Sequence, residues 1–115
     1  MTTPYISHVE WGTEDPDELE TFLSQLFGWQ FDRFAPNYRI YLPGAGGISV
    51  GILESSRMKA GGTPNVSVRV DDLDATLDQA AELGGEVVVP KTPMGESSYA
   101  FIAAPDGNLV GLQQI

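Results

Sequence analysis

The 115-residue chain contains no cysteine, which removes disulfides, thiolate metal sites and a cysteine nucleophile in one step. Basic residues are scarce: six Lys and Arg stand against sixteen Asp and Glu, a formal net charge of −10. Such a surface repels phosphate backbones and anionic lipid, so no nucleic-acid and no membrane partner is expected. Histidine occurs once, at His8. No apolar run approaches the ~20 residues of a membrane span. The opening Met1-Thr2-Thr3-Pro4-Tyr5 lacks a basic stretch followed by an apolar one, so no secretory leader is read there and a cytoplasmic location is expected. Gly44-Ala45-Gly46-Gly47 lacks the Lys-Ser/Thr end of a phosphate-binding loop. No serine sits in a nucleophile elbow, and a single histidine leaves no triad that spacing supports.

Thirteen Gly and eight Pro imply many turns, hence a sheet-rich fold with few helices. The length fits one domain, which on area scaling buries about two thirds of its unfolded surface. Within it the pattern runs twice. Ile6 to Trp11 reads as a strand. Asp15 then caps a helix, with Pro16 in its first turn and Glu18 completing a capping box. Leu19, Phe22, Leu23 and Leu26 form its apolar stripe and Gly28 stops it. Gln30 to Phe34, Tyr38 to Leu42 and Ile48 to Leu53 read as strands, with a Pro36-Asn37 turn between the first two.

Residues 55–64 carry no periodicity and read as a linker, after which the order repeats. Asn65 to Val70 alternates. Asp71-Asp72 opens a helix with Leu73, Leu77, Ala80 and Ala81 on one side, and Gly84-Gly85 ends it. Glu86 to Val89 reads as a strand, Pro90 to Ser98 as a long connection, and Tyr99 to Ala103 and Leu109 to Gln113 as strands around the Pro105-Asp106-Gly107-Asn108 turn. The expectation is an α+β fold of two tandem βαβββ modules, module one at about 4–54 and module two at about 65–115. Gly28 and Gly85, and likewise His8 and Asn65, lie 57 residues apart, as a duplicated unit requires.

Five segments, in order, carry a family resemblance: Ile6-Ser7-His8-Val9, Leu26-Phe27-Gly28-Trp29, Val70-Asp71-Asp72-Leu73-Asp74, Gly84-Gly85-Glu86-Val87-Val88 and Pro105-Asp106-Gly107-Asn108-Leu109-Val110-Gly111-Leu112. Together they resemble the vicinal oxygen chelate superfamily of glyoxalases, extradiol dioxygenases, fosfomycin-resistance enzymes and bleomycin-resistance proteins. The resemblance implies a mixed sheet curled around a cleft, with helices on the outer faces. In the metal enzymes of that superfamily, ligands come from the first and last strand of each module. Those positions fall here on His8, Gly51, Asn65 and Gly111. One imidazole, one amide and two glycines make a poor divalent-metal site, so no bound metal and no cofactor are expected.

Strand alternation puts Ile6, His8 and Glu10 on the cleft side, with Ser49, Gly51 and Leu53, then Asn65, Ser67 and Arg69, and Leu109, Gly111 and Gln113. His8 and Glu10 are candidate acid and base. His8, Glu10, Asn65, Ser67, Arg69 and Gln113 are candidate ligand-binding residues, with Arg69 suited to a carboxylate or phosphate. The plainer readings are a hydrogen-bonded structural histidine and a Glu10–Arg69 ion pair. Tyr38, Tyr41, Tyr99 and Phe101 read as an aromatic wall, as core or as dimer contacts. The acidic run Glu14, Asp15, Asp17, Glu18, Glu20 reads as a solvated helix start. Two functions follow: a small-molecule binder like the bleomycin-resistance branch, or a lyase, isomerase or dioxygenase-type enzyme using His8 and Glu10, with or without a metal. A homodimer is expected from the aromatic content, which includes Trp11, Trp29, Phe31 and Phe34.

Overall fold

The structure, a computed structural model, describes residues 3–55 and 64–115. The expected linker lies almost wholly outside the described residues. Two compact units divide the chain, one from His8 to Pro64 and the other from Asn65 to Ile115 with the residues up to Ser7.

Module one runs β1 (Tyr5–Thr13), α1 (Pro16–Phe27), β2 (Asp32–Ala35), β3 (Tyr38–Tyr41) and β4 (Ser49–Glu54). Its strands are ordered β2-β3-β4-β1, with β1 parallel to β4 and the other pairs antiparallel. Asp15 caps α1, accepting from the Glu18 N–H at 3.0 Å, and Pro16 fills the first turn. The return half of the expected capping box is made differently. The Asp15 N–H donates to Thr13 Oγ1 at 3.0 Å. Gly28 ends the helix at φ +75°, where a Cβ would be strained, and donates to the Ser24 carbonyl.

The apolar stripe of α1 is only partly used. Leu23, Val50 and Ile52 are buried, whereas Phe22 and Leu26 are 60% and 59% exposed. Helix α1 rests chiefly on β4. Val50 and Ile52 form the inner side of β4, as alternation predicts.

Module two runs β5 (Asn65–Arg69), α2 (Leu73–Glu82), β6 (Glu86–Met94), β7 (Ser97–Ala103) and β8 (Leu109–Gln114). Its order is β5-β8-β7-β6, with β5 parallel to β8. Asp72 caps α2 through the Ala75 N–H, and Gln114 on β8 accepts the Leu73 N–H at 2.6 Å. Val70, Leu73, Ala100 and Leu112 form the core, with Val68, Leu77, Ile102 and Val110 against it. Helix α2 covers β6, β7 and β8.

The expected connection at Pro90–Ser98 is instead strand. Residues Thr92, Pro93 and Met94 pair with Tyr99, Ser98 and Ser97 around a two-residue turn at Gly95-Glu96. Proline lacks a ladder donor, which argues against a central strand. Strand β6 is terminal in its module's order, and its register slips twice, between Val87 and Val89 and between Val89 and Thr92. Edge position and bulges accommodate Pro90 and Pro93.

The class is α+β, and the duplication is visible in the register. Glu10 pairs with Gly51 in module one, and Ser67, 57 residues after Glu10, pairs with Gly111 in module two. Among the described residues no helix is long and apolar enough to cross a membrane.

Candidate functional site

The parallel β1–β4 register sets His8 opposite Ser49 and Glu10 opposite Gly51. Alternation sends all of these to one face. The His8 ring is held at both nitrogens: Nδ1 lies 2.6 Å from Ser49 Oγ and Nε2 lies 2.6 Å from Tyr38 Oη. Glu10 Oε1 is 4.0 Å from Nε2, and the His8 and Glu10 side chains are 14% and 16% exposed. Glu10 lies close enough to Tyr38 to help raise the pKa of its hydroxyl. Tyr38 reaches this position from β3, which runs antiparallel to β4 with Ile40 opposite Gly51.

Gly51 makes that reach possible. A Cβ at position 51 would overlap the Tyr38 hydroxyl and lie 2.6 Å from the ring carbon Cζ and 2.9 Å from His8 Nε2. Burial lowers the pKa of His8 below 6.5, so the imidazole is neutral at pH 7. Burial, then the neighbouring Glu10, raise Tyr38 above the usual phenol range. The cluster is therefore a neutral imidazole and an un-ionised phenol beside the Glu10 side chain.

In module two Ser67 faces Gly111 and Arg69 faces Gln113. A Cβ on Gly111 would lie 2.5 Å from Ser67 Oγ. Ser7 Oγ donates to Gln113 Oε1 at 2.8 Å, and Arg69 Nη1 donates to Tyr5 Oη at 3.1 Å. Asn65 opens β5, half-buried. Arg33, Arg39 and Lys91 each have a carboxylate partner, so among the described residues Arg69 is the cation with none within 4.0 Å. The six expected ligand-binding residues thus fall into two groups: His8 with Glu10 in one unit, and Asn65, Ser67, Arg69 and Gln113 in the other.

Two sequence readings change. The acidic run at α1 is not merely a solvated helix start. Asp17 and Glu20 hold the Arg39 guanidinium at 2.7 and 3.0 Å, and that side chain is 7% exposed. The four aromatic residues do not share one role. Tyr41 stacks on Trp29 at 4.9 Å and 11°, Tyr99 meets Phe101 edge-on, and Tyr38 joins His8. Sequence reasoning put Ser49 on the cleft side and Tyr38 in a possible aromatic wall, but named neither as a site residue. The available signal was Gly51, since a glycine inside a strand marks a close approach by another group.

Comparison with known proteins places this geometry in a family. The sequence profile of the Glyoxalase/Bleomycin resistance protein/Dioxygenase superfamily matches residues 5–112. CFP32 of Mycobacterium bovis, provisionally named a glyoxylase, is 32% identical over 120 residues, an alignment that spans 92% of this chain and 44% of CFP32. The chain thus spans less than half the length of that curated relative. Methylmalonyl-CoA epimerase from Mycobacterium tuberculosis superposes with a TM-score of 0.74 at 18% identity, covering 95% of this chain and 86% of the epimerase. A glyoxalase/bleomycin resistance protein/dioxygenase superfamily member from Vibrio splendidus superposes at 0.70 with 16% identity, over 98% and 100% of the two chains. At these identities the structures share the fold. On the match across almost its whole length, the chain belongs to the glyoxalase/bleomycin resistance protein/dioxygenase superfamily.

Proposed function

We propose that the chain binds a small polar molecule without a divalent metal, with two candidate groups of contact residues: His8 and Glu10 in module one, and Asn65, Ser67, Arg69 and Gln113 in module two. The observation that carries this reading is the Tyr38 hydroxyl lodged where a side chain on residue 51 would begin. Residue 51 is a ligand position of the superfamily's metal enzymes, and here it has no donor. Residue 111, the matching position of module two, also has none, and Ser67 Oγ crowds its space. The remaining positions offer one imidazole and one amide. Among the described residues no three His, Asp or Glu side chains gather into a cation site. A zinc or nickel centre needs three or four strong donors and charge neutralisation, which this set does not supply.

Arg69 supports an anionic group on the ligand, because a guanidinium without a carboxylate partner is suited to bidentate recognition of carboxylate or phosphate. The relationship to CFP32 supports a second reading, glyoxylase-type turnover with His8 and Glu10 as acid and base. Titration calorimetry of untagged protein with zinc, nickel, manganese and iron tests the metal-free reading. No sub-micromolar binding is expected, and one stoichiometric tight metal would overturn it. A thermal-shift screen of small carboxylic acids and phosphate monoesters tests the ligand class. A stabilising compound should lose its effect in Arg69→Ala or in His8→Ala, which identifies the group that holds it; an effect unchanged in both would overturn the assignment.

A further inference from the structure

Two short contacts fix the His8 ring in the module-one cluster: Nδ1 lies 2.6 Å from Ser49 Oγ and Nε2 lies 2.6 Å from Tyr38 Oη. The ring proton of a neutral imidazole can sit on either nitrogen, and these distances suit both tautomers. Glu10 Oε1 lies 4.0 Å from Nε2, on the Tyr38 side of the ring. With the ring proton on Nε2, facing Tyr38 and Glu10, Nδ1 is the bare nitrogen and the Ser49 hydroxyl donates to it. In that tautomer the order is Ser49 O–H to Nδ1 and Nε2–H to Tyr38.

This is a hydroxyl on a base whose far nitrogen is held by an orienting group, with the Glu10 side chain beside it. The arrangement is the general logic of an activated serine, with Tyr38 and Glu10 on the far side of the imidazole. Spacing along the chain conceals it, because Ser49 follows His8 by 41 residues. The parallel β1–β4 register makes the two residues direct neighbours.

We propose that Ser49 is an acyl-accepting nucleophile for esters with good leaving groups, with His8 as its general base and Tyr38 and Glu10 as positioning residues. The proposal deepens the metal-free reading of the same residues and rests on it. Ser49 Oγ forms the bond to the acyl carbon while its proton passes to Nδ1. The ester C–O bond breaks, and the departing alcohol takes that proton. Water, deprotonated by the same nitrogen, then cleaves the acyl–serine bond and restores the hydroxyl. The balance is ester plus water to acid plus alcohol, with no other reactant. The imidazolium that forms transiently keeps its Nε2–H on Tyr38, with the Glu10 side chain 4.0 Å from that nitrogen. The class is activated esters, because amide cleavage also demands strong donors for the oxyanion.

The test treats the full chain with a fluorophosphonate probe and with p-nitrophenyl acetate, each with and without EDTA. Intact-mass and peptide mapping are expected to find one adduct per chain, on Ser49, unaffected by EDTA. Ser49→Ala should abolish the adduct, and His8→Gln should slow it at least tenfold. Tyr38→Phe, which keeps the ring but loses the relay, should slow labelling several-fold and change its pH profile. Absence of a Ser49 adduct on the folded wild-type chain overturns the proposal, whether or not any variant folds. An adduct on another residue, or equal labelling of a folded His8→Gln chain, overturns it as well. A tight metal in calorimetry with no Ser49 adduct removes both readings. No metal and no adduct removes this one alone.

Discussion

The Tyr38 hydroxyl occupies the space into which a side chain on Gly51 would grow. Glycine at 51 and tyrosine at 38 are therefore one choice made at two positions. A methyl group at 51 meets the ring carbon Cζ as well as the oxygen, so rotating the hydroxyl hydrogen does not relieve it, and His8 crowds the same point. Gly51→Ala should destabilise the fold by about 1–3 kcal/mol, the usual range for overpacking. Tyr38→Ala removes the obstacle. The double variant should then be more stable than the sum of the single effects predicts, by about 1 kcal/mol or more. Urea unfolding of the four proteins measures this, and strict additivity would show that the two residues do not compete for space.

His8 gives the fold a pH dependence of known sign. Burial holds its pKa below the unfolded value of 6.5, so the unfolded chain binds more protons between the two values. Its contribution is fully present above pH 6.5 and is lost as pH falls through and below that value. The groups facing the ring are Glu10 on its own strand, Tyr38 on β3 and Ser49 on β4. Stability should therefore begin to fall as the pH drops below 6.5 in the wild type. In His8→Gln the stability profile between pH 5 and 6.5 should flatten relative to wild type, read by denaturant midpoints at each pH.

Arg39 separates buried packing from surface charge. Its guanidinium is buried, but Asp17 is 79% exposed and Glu20 31% exposed. Losing the arginine leaves two carboxylates that water can reach, not a stranded buried charge. Arg39→Met should thus cost about 1–2 kcal/mol, below the roughly 3–5 kcal/mol of a fully buried pair broken on one side. Asp17→Asn should cost under about 1 kcal/mol, as exposed ion pairs do. A larger loss for Asp17→Asn than for Arg39→Met in thermal unfolding would refute this ranking.

The elements were legible where local chemistry decides them. Asp15, Pro16 and Gly28 bound α1, and Asp72 opens α2, because caps act within one turn. Alternation along β4 separated Val50 and Ile52 from Ser49 and Gly51 correctly. What could not be read depends on neighbours. Pro90 and Pro93 speak against a strand until β6 is known to lie at the end of its module's order. His8 was identified from its strand position. Its partners Ser49 and Tyr38 lie 41 and 30 residues away, and only the strand register brings them together.

The stripe on α1 gives a last prediction, because sequence periodicity treats its members alike and the structure does not. Leu23 is 5% exposed, while Phe22 and Leu26 are more than half exposed. Truncating a buried leucine loses transfer energy and leaves a cavity, so Leu23→Ala should cost about 2–4 kcal/mol. Phe22→Gln and Leu26→Gln remove side chains that already face solvent in the single chain, and each should cost within about 0.5 kcal/mol. Unfolding should be repeated over a hundredfold range of protein concentration. If the two exposed positions prove costly, and the cost grows with concentration, a second copy of the chain covers them and the expected homodimer gains its interface. If they prove costly at every concentration alike, α1 packs more deeply than Leu23 alone, and the assignment of its buried side is wrong.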